Sequence, residues 1–261
     1  MIKVMHRVLA VLAFPALLRA QASQAPGGAI KIVGDIARLH VTGPRALADA
    51  IYATSRAFNV SAGFEEVKPL SPHDILDVTS PKYVPASKDD RAFKPRGGTV
   101  DVSFKSPAIA ARTEDLRTAV TALLNEYHRL GLPGRYAFEI TSGSPTWLYV
   151  YPVEVTGPSG HPVKVAPVSR AAIELTPRDD EKPFDILLDA LNAAAGASND
   201  SIKYGGMLGL GFQGGLTKPA VLSGPAYVIF NAISDAAGRH FWALLYEPSP
   251  SWKNYFFSFQ E

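Results

Sequence analysis

Apolar residues recur every three or four positions in four segments of the chain, the spacing that lines one face of an α-helix. In the first segment, Leu47, Ile51 and Phe58 form such a face, and Pro44 lies in the first turn, where a helix tolerates proline. The third segment ends at Gly196, a residue typical of helix ends. The pattern predicts helices over residues 42–59, 113–131, 182–196 and 223–238.

Runs rich in β-branched and aromatic residues follow each predicted helix, and further runs lie between them. The turn at 157–160, Gly-Pro-Ser-Gly, separates two of these runs as in a β-hairpin. The runs predict strands over residues 60–65, 99–104, 136–140, 146–155, 161–168, 171–175, 201–204 and 241–246.

The order strand, helix, strand recurs four times, and residues 50–66 align without a gap with residues 232–248. This order predicts an α+β fold of two lobes, each with helices packed on a small mixed or antiparallel sheet. The first lobe covers residues 29–166 and includes a long polar loop at 67–98. The second covers residues 167–261 and includes a Gly-rich loop at 205–221.

The first 22 residues have the three parts of a secretory signal peptide. A short basic segment precedes an 11-residue apolar run at 8–18, and Ala20-Gln21-Ala22 is a small-residue cleavage site. The run is shorter than the roughly 20 residues that a transmembrane helix needs. We therefore expect export, and a periplasmic or secreted protein that is soluble after cleavage, with no membrane span in the mature chain.

Charge and cysteine content narrow the possible partners. Loss of Lys3, Arg7 and Arg19 with the signal peptide leaves 23 of the 26 basic residues against 24 acidic residues, a net charge of −1. Such a chain lacks the large positive field that nucleic-acid binding requires. It also contains no cysteine, so its core must hold without disulfides, which about 240 residues can achieve.

Residues 39–66, "LHVTGPRALADAIYATSRAFNVSAGFEE", resemble the N-terminal short domain of secretins and TonB-dependent receptors. The matching positions combine a strand, a small-residue turn, a helix with Leu47, Ala50 and Ile51, and a strand that ends in Phe64-Glu65. The resemblance implies a small βαβ module of the periplasm that contacts partner proteins and is not catalytic. The likeness is specific over about 30 residues.

Motifs for catalysis or cofactor binding lack the context that their chemistry needs. Residues 209–214 match the letters G-x-G-x-x-G, but no helix starts within them, as a dinucleotide site requires. The histidines are scattered, and adjacent acids such as Glu65-Glu66 point to opposite faces of a strand. The sequence therefore predicts no catalytic residues, no cofactor and no metal site, although a catalytic site assembled from distant residues stays open.

Two aromatic runs present apolar residues on both faces of their predicted strands. Trp147, Tyr149 and Tyr151 alternate in one run, and Trp242 and Tyr246 lie in the other. Two-sided apolar strands favour burial on both faces, although aromatic rails also stack sugars. A turn at residues 248–254 places a further tryptophan, residue 252, at its tip. The possible ligand or partner surface is Trp147, Trp242 and Trp252.

These observations favour an exported, non-enzymatic protein that binds another protein of the cell envelope, by addition of a strand to a sheet edge. Binding of carbohydrate or cell wall through the three tryptophans is the alternative from another functional class. A hydrolase is the third and least favoured interpretation.

Overall fold

The computed structural model describes residues 29–80, 91–106, 113–177, 183–198, 202–204, 222–249 and 252–260. The predicted signal peptide and the predicted Gly-rich loop at 205–221 lie outside the described residues. The helices are α1 (Ala46–Phe58), α2 (Thr113–Arg129), α3 (Pro183–Ser198) and α4 (Ala226–Ala236). The strands are β1 (Ala29–Val33), β2 (Ile36–Gly43), β3 (Ser61–Glu65), β4 (Ile75–Asp77), β5 (Phe93–Pro95), β6 (Gly98–Lys105), β7 (Arg135–Thr141), β8 (Trp147–Thr156), β9 (Pro162–Lys164), β10 (Ala172–Glu174), β11 (Ile202–Tyr204), β12 (Ser223–Pro225), β13 (Phe241–Ser249) and β14 (Trp252–Gln260).

The four predicted helices are confirmed. Three of them are shorter than their predicted segments, and α3 extends two residues beyond its predicted end. In α1 the predicted apolar face is the buried face, because Leu47, Ile51 and Phe58 are each at most 3% exposed. The helix stops where Asn59 adopts a left-handed conformation with φ of 51°, and the backbone N–H of Asn59 bonds to Arg56. No helix among these residues is long and apolar enough to cross a bilayer.

A mixed sheet of seven strands forms the centre of the molecule, in the order β11-β14-β13-β3-β8-β7, with β9 paired to β8. The β13–β3 and β3–β8 pairs are parallel, whereas β13 and β14 form an antiparallel hairpin. The mixed sheet and its helices confirm the predicted α+β class. Strands from both predicted lobes pair within this one sheet, so the boundary at residues 166 and 167 does not separate two sheets.

Helices cover both faces of the central sheet. Phe64, Leu148 and Phe241 pack with α1 and α2 on one face, in a single cluster of buried side chains. Tyr149 and Trp242 point to the other face and pack with α3 and α4 in a second cluster. This arrangement explains why the aromatic strands are apolar on both sides.

A smaller sheet, in the order β1-β2-β6, covers the far side of α1 and α2. Side chains of β2 alternate between the buried residues Ala37, Leu39 and Val41, which join the same core as α1, and exposed residues between them. This alternation is the period of a strand with one buried face. The outer face of the small sheet consequently meets solvent.

Three described regions differ from the strand predictions. The β1 strand was not expected, and the predicted polar loop at 67–98 contains the short pair β4–β5. The predicted turn at residues 248–254 is tighter than expected, because Trp252 begins β14 and lies opposite Ser249 in the β13–β14 hairpin. Nine consecutive residue pairs join these two strands, and that long-range pairing outweighs the local turn signals of proline and asparagine.

Candidate functional site

The β1–β2 hairpin ends in an apolar tip that is exposed to solvent. Its two-residue loop is Gly34-Asp35, where Gly34 adopts a φ of +64° that suits glycine. Ile32 and Val33 before the loop are 56% and 54% exposed, and Ile36 after it is 38% exposed. We call these three residues the hairpin tip. Val33 and Ile36 lie opposite each other across the two strands, so they form one small apolar patch, a feature that contributes to protein-interaction surfaces.

Basic residues lie beside the hairpin tip on the outer face of the small sheet. Lys31 pairs directly with Arg38 across β1 and β2, and Lys105 of β6 pairs with Ile36. All three cations are exposed, and none forms an ion pair with a residue that the structure describes. Like charges directly opposite each other on a sheet destabilise it. The Lys31–Arg38 pair therefore costs some folding stability, and with Lys105 it concentrates positive charge at this end of the outer face.

At the opposite end of the same outer face, the polar side chains are paired with one another. His40 Nδ1 lies 2.5 Å from Asp101 Oδ1, and the hydroxyl groups of Thr42 and Thr99 lie 3.0 Å apart. These four side chains are hydrogen-bond partners of one another, whereas the three cations near the tip have no ion-pair partner among the described residues. Positive charge and apolar surface are thus concentrated at one end of the hairpin.

The β1 strand is also an edge of its sheet, since it pairs only with β2 among the described strands. An edge strand presents backbone N–H and C=O groups to which an extended segment of another chain can pair. Side chains of such an added strand would lie next to Lys31 and Val33 on the outer face and next to Ile32 on the other face. The edge, the tip and the cations together form the candidate binding surface.

The predicted tryptophan surface is mostly interior. Trp147 is 4% exposed and donates from Nε1 to Asp235 Oδ2 at 3.1 Å. Trp242 is fully buried and donates from Nε1 to Asn231 Oδ1 at 2.7 Å. Neither indole face is available to stack a sugar in this conformation. The side chain of Trp252, the third predicted residue, lies outside the described part of the chain.

The acidic pair Glu65-Glu66 ends β3, and its two side chains bind different partners, as alternation along a strand requires. Glu65 is 1% exposed and accepts hydrogen bonds from the backbone N–H groups of Val168 and Ser169 at 2.8 and 2.9 Å. The hydroxyl of Ser169 also bonds to Glu65 and lies 2.5 Å from the hydroxyl of Tyr149. Glu65 therefore fastens a short turn of the chain to the sheet.

Glu66 belongs to a buried ion cluster with Arg45 and Glu247. Arg45 donates to Glu66 Oε2 at 3.2 Å and to Glu247 Oε1 at 2.8 Å, and Glu66 also accepts from the N–H of Tyr246 at 2.8 Å. Burial raises the pKa of Glu66 despite the opposing effect of Arg45. Burial alone would lower the pKa of Arg45, but the two glutamates raise it overall. The cluster fixes the start of α1 to the ends of β3 and β13.

A partly exposed polar cluster surrounds Glu139 on β7. Its carboxylate accepts from Arg170 Nη1 at 2.5 Å and from the hydroxyl groups of Tyr151 and Tyr227 at 3.1 and 3.2 Å. Burial and the nearby Glu139 raise the pKa values of both tyrosines. Every charged or polar end in this cluster has a partner, so the cluster serves to join β7, β8 and α4.

Other motifs from the sequence offer no second centre of chemistry. The G-x-G-x-x-G match at 209–214 lies outside the described residues. Within the described ranges, no group of three or more histidine, aspartate or glutamate side chains is placed to hold a metal ion. Comparisons with protein-family models, with curated proteins and with solved structures found no match to this chain.

The hairpin tip was missed at the level of sequence because "AIKIV" shows only two alternations of apolar and polar residues. A period of two predicts a strand, but it does not tell which apolar residues extend beyond the core. A stronger signal was the Gly-Asp pair between two β-branched residues, which is typical of a two-residue hairpin loop.

Proposed function

We propose that this protein is an exported, non-enzymatic module that binds another protein of the cell envelope through the β1–β2 hairpin. The observation that carries the proposal is the cross-strand pair Lys31–Arg38 beside the hairpin tip. This charge pair lowers folding stability, and it adds positive charge to a surface that is also apolar. The likeness of residues 39–66 to a protein-binding module of secretins and TonB-dependent receptors supports the same function, because the matching segment begins on β2.

The partner segment should be extended, acidic and partly apolar. An added strand that pairs with the edge of β1 would place alternate side chains on the two faces of the small sheet. On the outer face, an acidic side chain would lie next to Lys31 and within the field of Arg38 and Lys105, and an apolar one would cover Val33. On the other face, an apolar side chain would cover Ile32. Electrostatic complementarity of this kind raises association rates and weakens with added salt.

Site-specific photo-crosslinking tests the proposal in intact cells that express the full chain. A photoreactive phenylalanine analogue is placed at Val33, and a matched control carries it at Val163, which is 40% exposed on β9 in another hairpin. We expect one predominant adduct with an envelope protein from Val33 and none from Val163. The captured protein is then purified and its affinity for this chain is measured directly, at low and high salt.

The charge-reversed variant Lys31→Glu/Arg38→Glu is the most informative companion. It keeps two like charges facing each other, so the melting temperature should stay unchanged while attraction becomes repulsion. We expect at least tenfold weaker binding of the purified partner and an opposite salt dependence. Equal adducts from Val33 and Val163, an adduct only with a second copy of this chain, or unchanged affinity of the charge-reversed variant would overturn the proposal.

A further inference from the structure

A second feature, away from the hairpin, is a cavity of about 260 Å³ where α1 and α4 both end. It is lined by Tyr52, Ser55 and Arg56 of α1 and by the segment from Gly238 to Phe241, which leads from α4 into β13. This volume lies just below the range of about 300–1,000 Å³ that is typical of small-molecule sites, so the space suits only a small ligand. None of the functions considered above uses it.

Three of the lining residues are basic and none is acidic. Arg56, Arg239 and His240 follow or end helices whose C-terminal ends are electrically negative, which accounts for the choice of basic residues there. Arg56 is exposed and forms no ion pair with any residue that the structure describes. The hydrogen-bond donors of its guanidinium are therefore available to an anion that binds in the cavity.

Asp235, an acidic residue near the end of α4, is engaged elsewhere. Its Oδ2 accepts from the indole Nε1 of Trp147 at 3.1 Å, and it does not line the cavity. The Nδ1 atom of His240 lies 3.3 Å from the hydroxyl of Ser61 on β3. The C=O of His240 also accepts from the N–H of Ala62 at 2.8 Å. These contacts place His240 at the junction of β3 and β13, and the residue stays exposed to solvent.

The remaining wall of the cavity is aromatic. The rings of Tyr52 and Phe241 meet edge to face, with centroids 5.2 Å apart and planes at 89°. Phe241 is buried, so the pair is a rigid part of the core, and Tyr52 is its partly exposed member. A flat apolar group can pack against such a pair in the offset or edge-on geometry that aromatic rings prefer.

We propose that this cavity binds a small carboxylate with a flat apolar body, such as an aromatic acid. The carboxylate would take a bidentate pair of hydrogen bonds from the Arg56 guanidinium, the geometry for which arginine is preferred over lysine. His240 lies on the same wall and donates a further hydrogen bond. The apolar body would lie against Tyr52.

Titration of the purified protein with benzoate tests this proposal by nuclear magnetic resonance. The imidazole signals of His240 report on the cavity, and those of His40, on the outer face of the small sheet, serve as an internal reference. Benzamide has nearly the same shape without the charge, and inorganic phosphate has charge without the apolar body. We expect saturable shifts of the His240 signals with benzoate, and at least tenfold weaker binding of benzamide and of phosphate.

Substitution separates this site from the hairpin. Arg56→Gln should weaken benzoate binding at least tenfold without changing the melting temperature, because Arg56 is exposed. Arg38→Gln, a matched loss of an exposed arginine on the small sheet, should leave benzoate binding unchanged. Unchanged affinity in Arg56→Gln, His240 signals that do not move, or phosphate binding as tight as benzoate would overturn the proposal. None of these results bears on the partner-binding function, since neither the crosslinking site nor its controls include Arg56.

Discussion

Gly63 of β3 lies directly against the indole of Trp242 on the neighbouring strand β13. A Cβ atom added at residue 63 would overlap the six-membered ring of the indole and would lie 2.8 Å from its Nε1. Only glycine fits this position, because the two strands are parallel neighbours and the indole crosses the face of β3. We therefore predict that Gly63→Ala destabilises the protein.

The indole cannot easily move away from the added methyl group. Its Nε1 donates to Asn231 at 2.7 Å, and its ring contacts those of Phe230 and Phe257 at centroid distances of 5.3 and 5.9 Å. Trp242 is fully buried, so any displacement passes to neighbours that are themselves closely packed. Relief of the overlap requires either a shift of β3 or a broken hydrogen bond.

Overpacking of a core by one methyl group costs about 1–3 kcal/mol. Alanine recovers about 0.4–1 kcal/mol, since it restricts the unfolded chain more than glycine does. The free energy of unfolding should therefore fall by about 1–2 kcal/mol. In a chain of this length each kcal/mol shifts the melting temperature by about 2–4 °C, so we expect a decrease of about 2–8 °C.

The assay is equilibrium unfolding in urea and thermal melting followed by circular dichroism. Gly196→Ala is the matched control, because Gly196 is exposed in α3 and an added Cβ would meet no atom within 4 Å. That variant should be more stable than the wild type by about 0.5–1 kcal/mol. The same substitution then acts in opposite directions at the two sites. A Gly63→Ala variant at least as stable as the wild type would refute the packing argument.

Two further changes probe the buried charges and tyrosines. Glu66→Gln should lower the free energy of unfolding by roughly 3 kcal/mol in urea titrations, because it leaves Arg45 buried with one carboxylate instead of two. The control is Glu126→Gln, at an exposed pair with Arg129, which should change the free energy of unfolding little. Equal effects of the two substitutions would contradict this account. Burial raises the pKa of Tyr127, so the folded state keeps its proton when the unfolded state loses it, and stability should fall as pH rises above about 10. Tyr127→Phe should reduce that loss by up to about 1.4 kcal/mol per pH unit, and an identical pH profile would exclude a contribution of Tyr127.

The helices could be predicted because their evidence is local. In α1 and α4 the buried residues Ile51 and Ile233 belong to apolar stripes that repeat within a few turns of the chain. Pro44 before α1 and Pro225 at the start of α4 lie in the same segments, so neither signal depends on distant parts of the sequence. The α+β class follows from the alternation of these helices with β-rich runs.

The pairing of strands could not be predicted from such local evidence. β14 contains three phenylalanine and tyrosine residues in its centre, yet Pro248 and Asn254 around it favour a turn. Its strand conformation depends on pairing with β13, where Tyr246 lies opposite Tyr255 with ring centroids 5.2 Å apart. Strand preference depends on the neighbours that a residue meets in the sheet, and these are fixed only when the whole sheet assembles.

The candidate sites could be predicted least, because both depend on where the core ends. Ile32 and Ile30 share one face of β1 and have the same side chain, yet Ile30 packs on the core and Ile32 is 56% exposed. Similarly, Arg56 and His240 are 184 positions apart and meet only because β3 and β13 are neighbours. No pattern within one segment distinguishes these residues from others of the same type.

The central sheet shows where the two segments of the weak internal repeat lie. Residues 50–66 and 232–248 each contain the end of a helix and the strand that follows it, and those strands, β3 and β13, are parallel neighbours. Their helices lie on opposite faces, since α1 packs in one core cluster and α4 in the other. Two helices that approach one sheet end from opposite sides cannot pack against each other there. The cavity lined by Arg56 and His240 lies at that junction, so its position is a consequence of the repeated helix-strand unit.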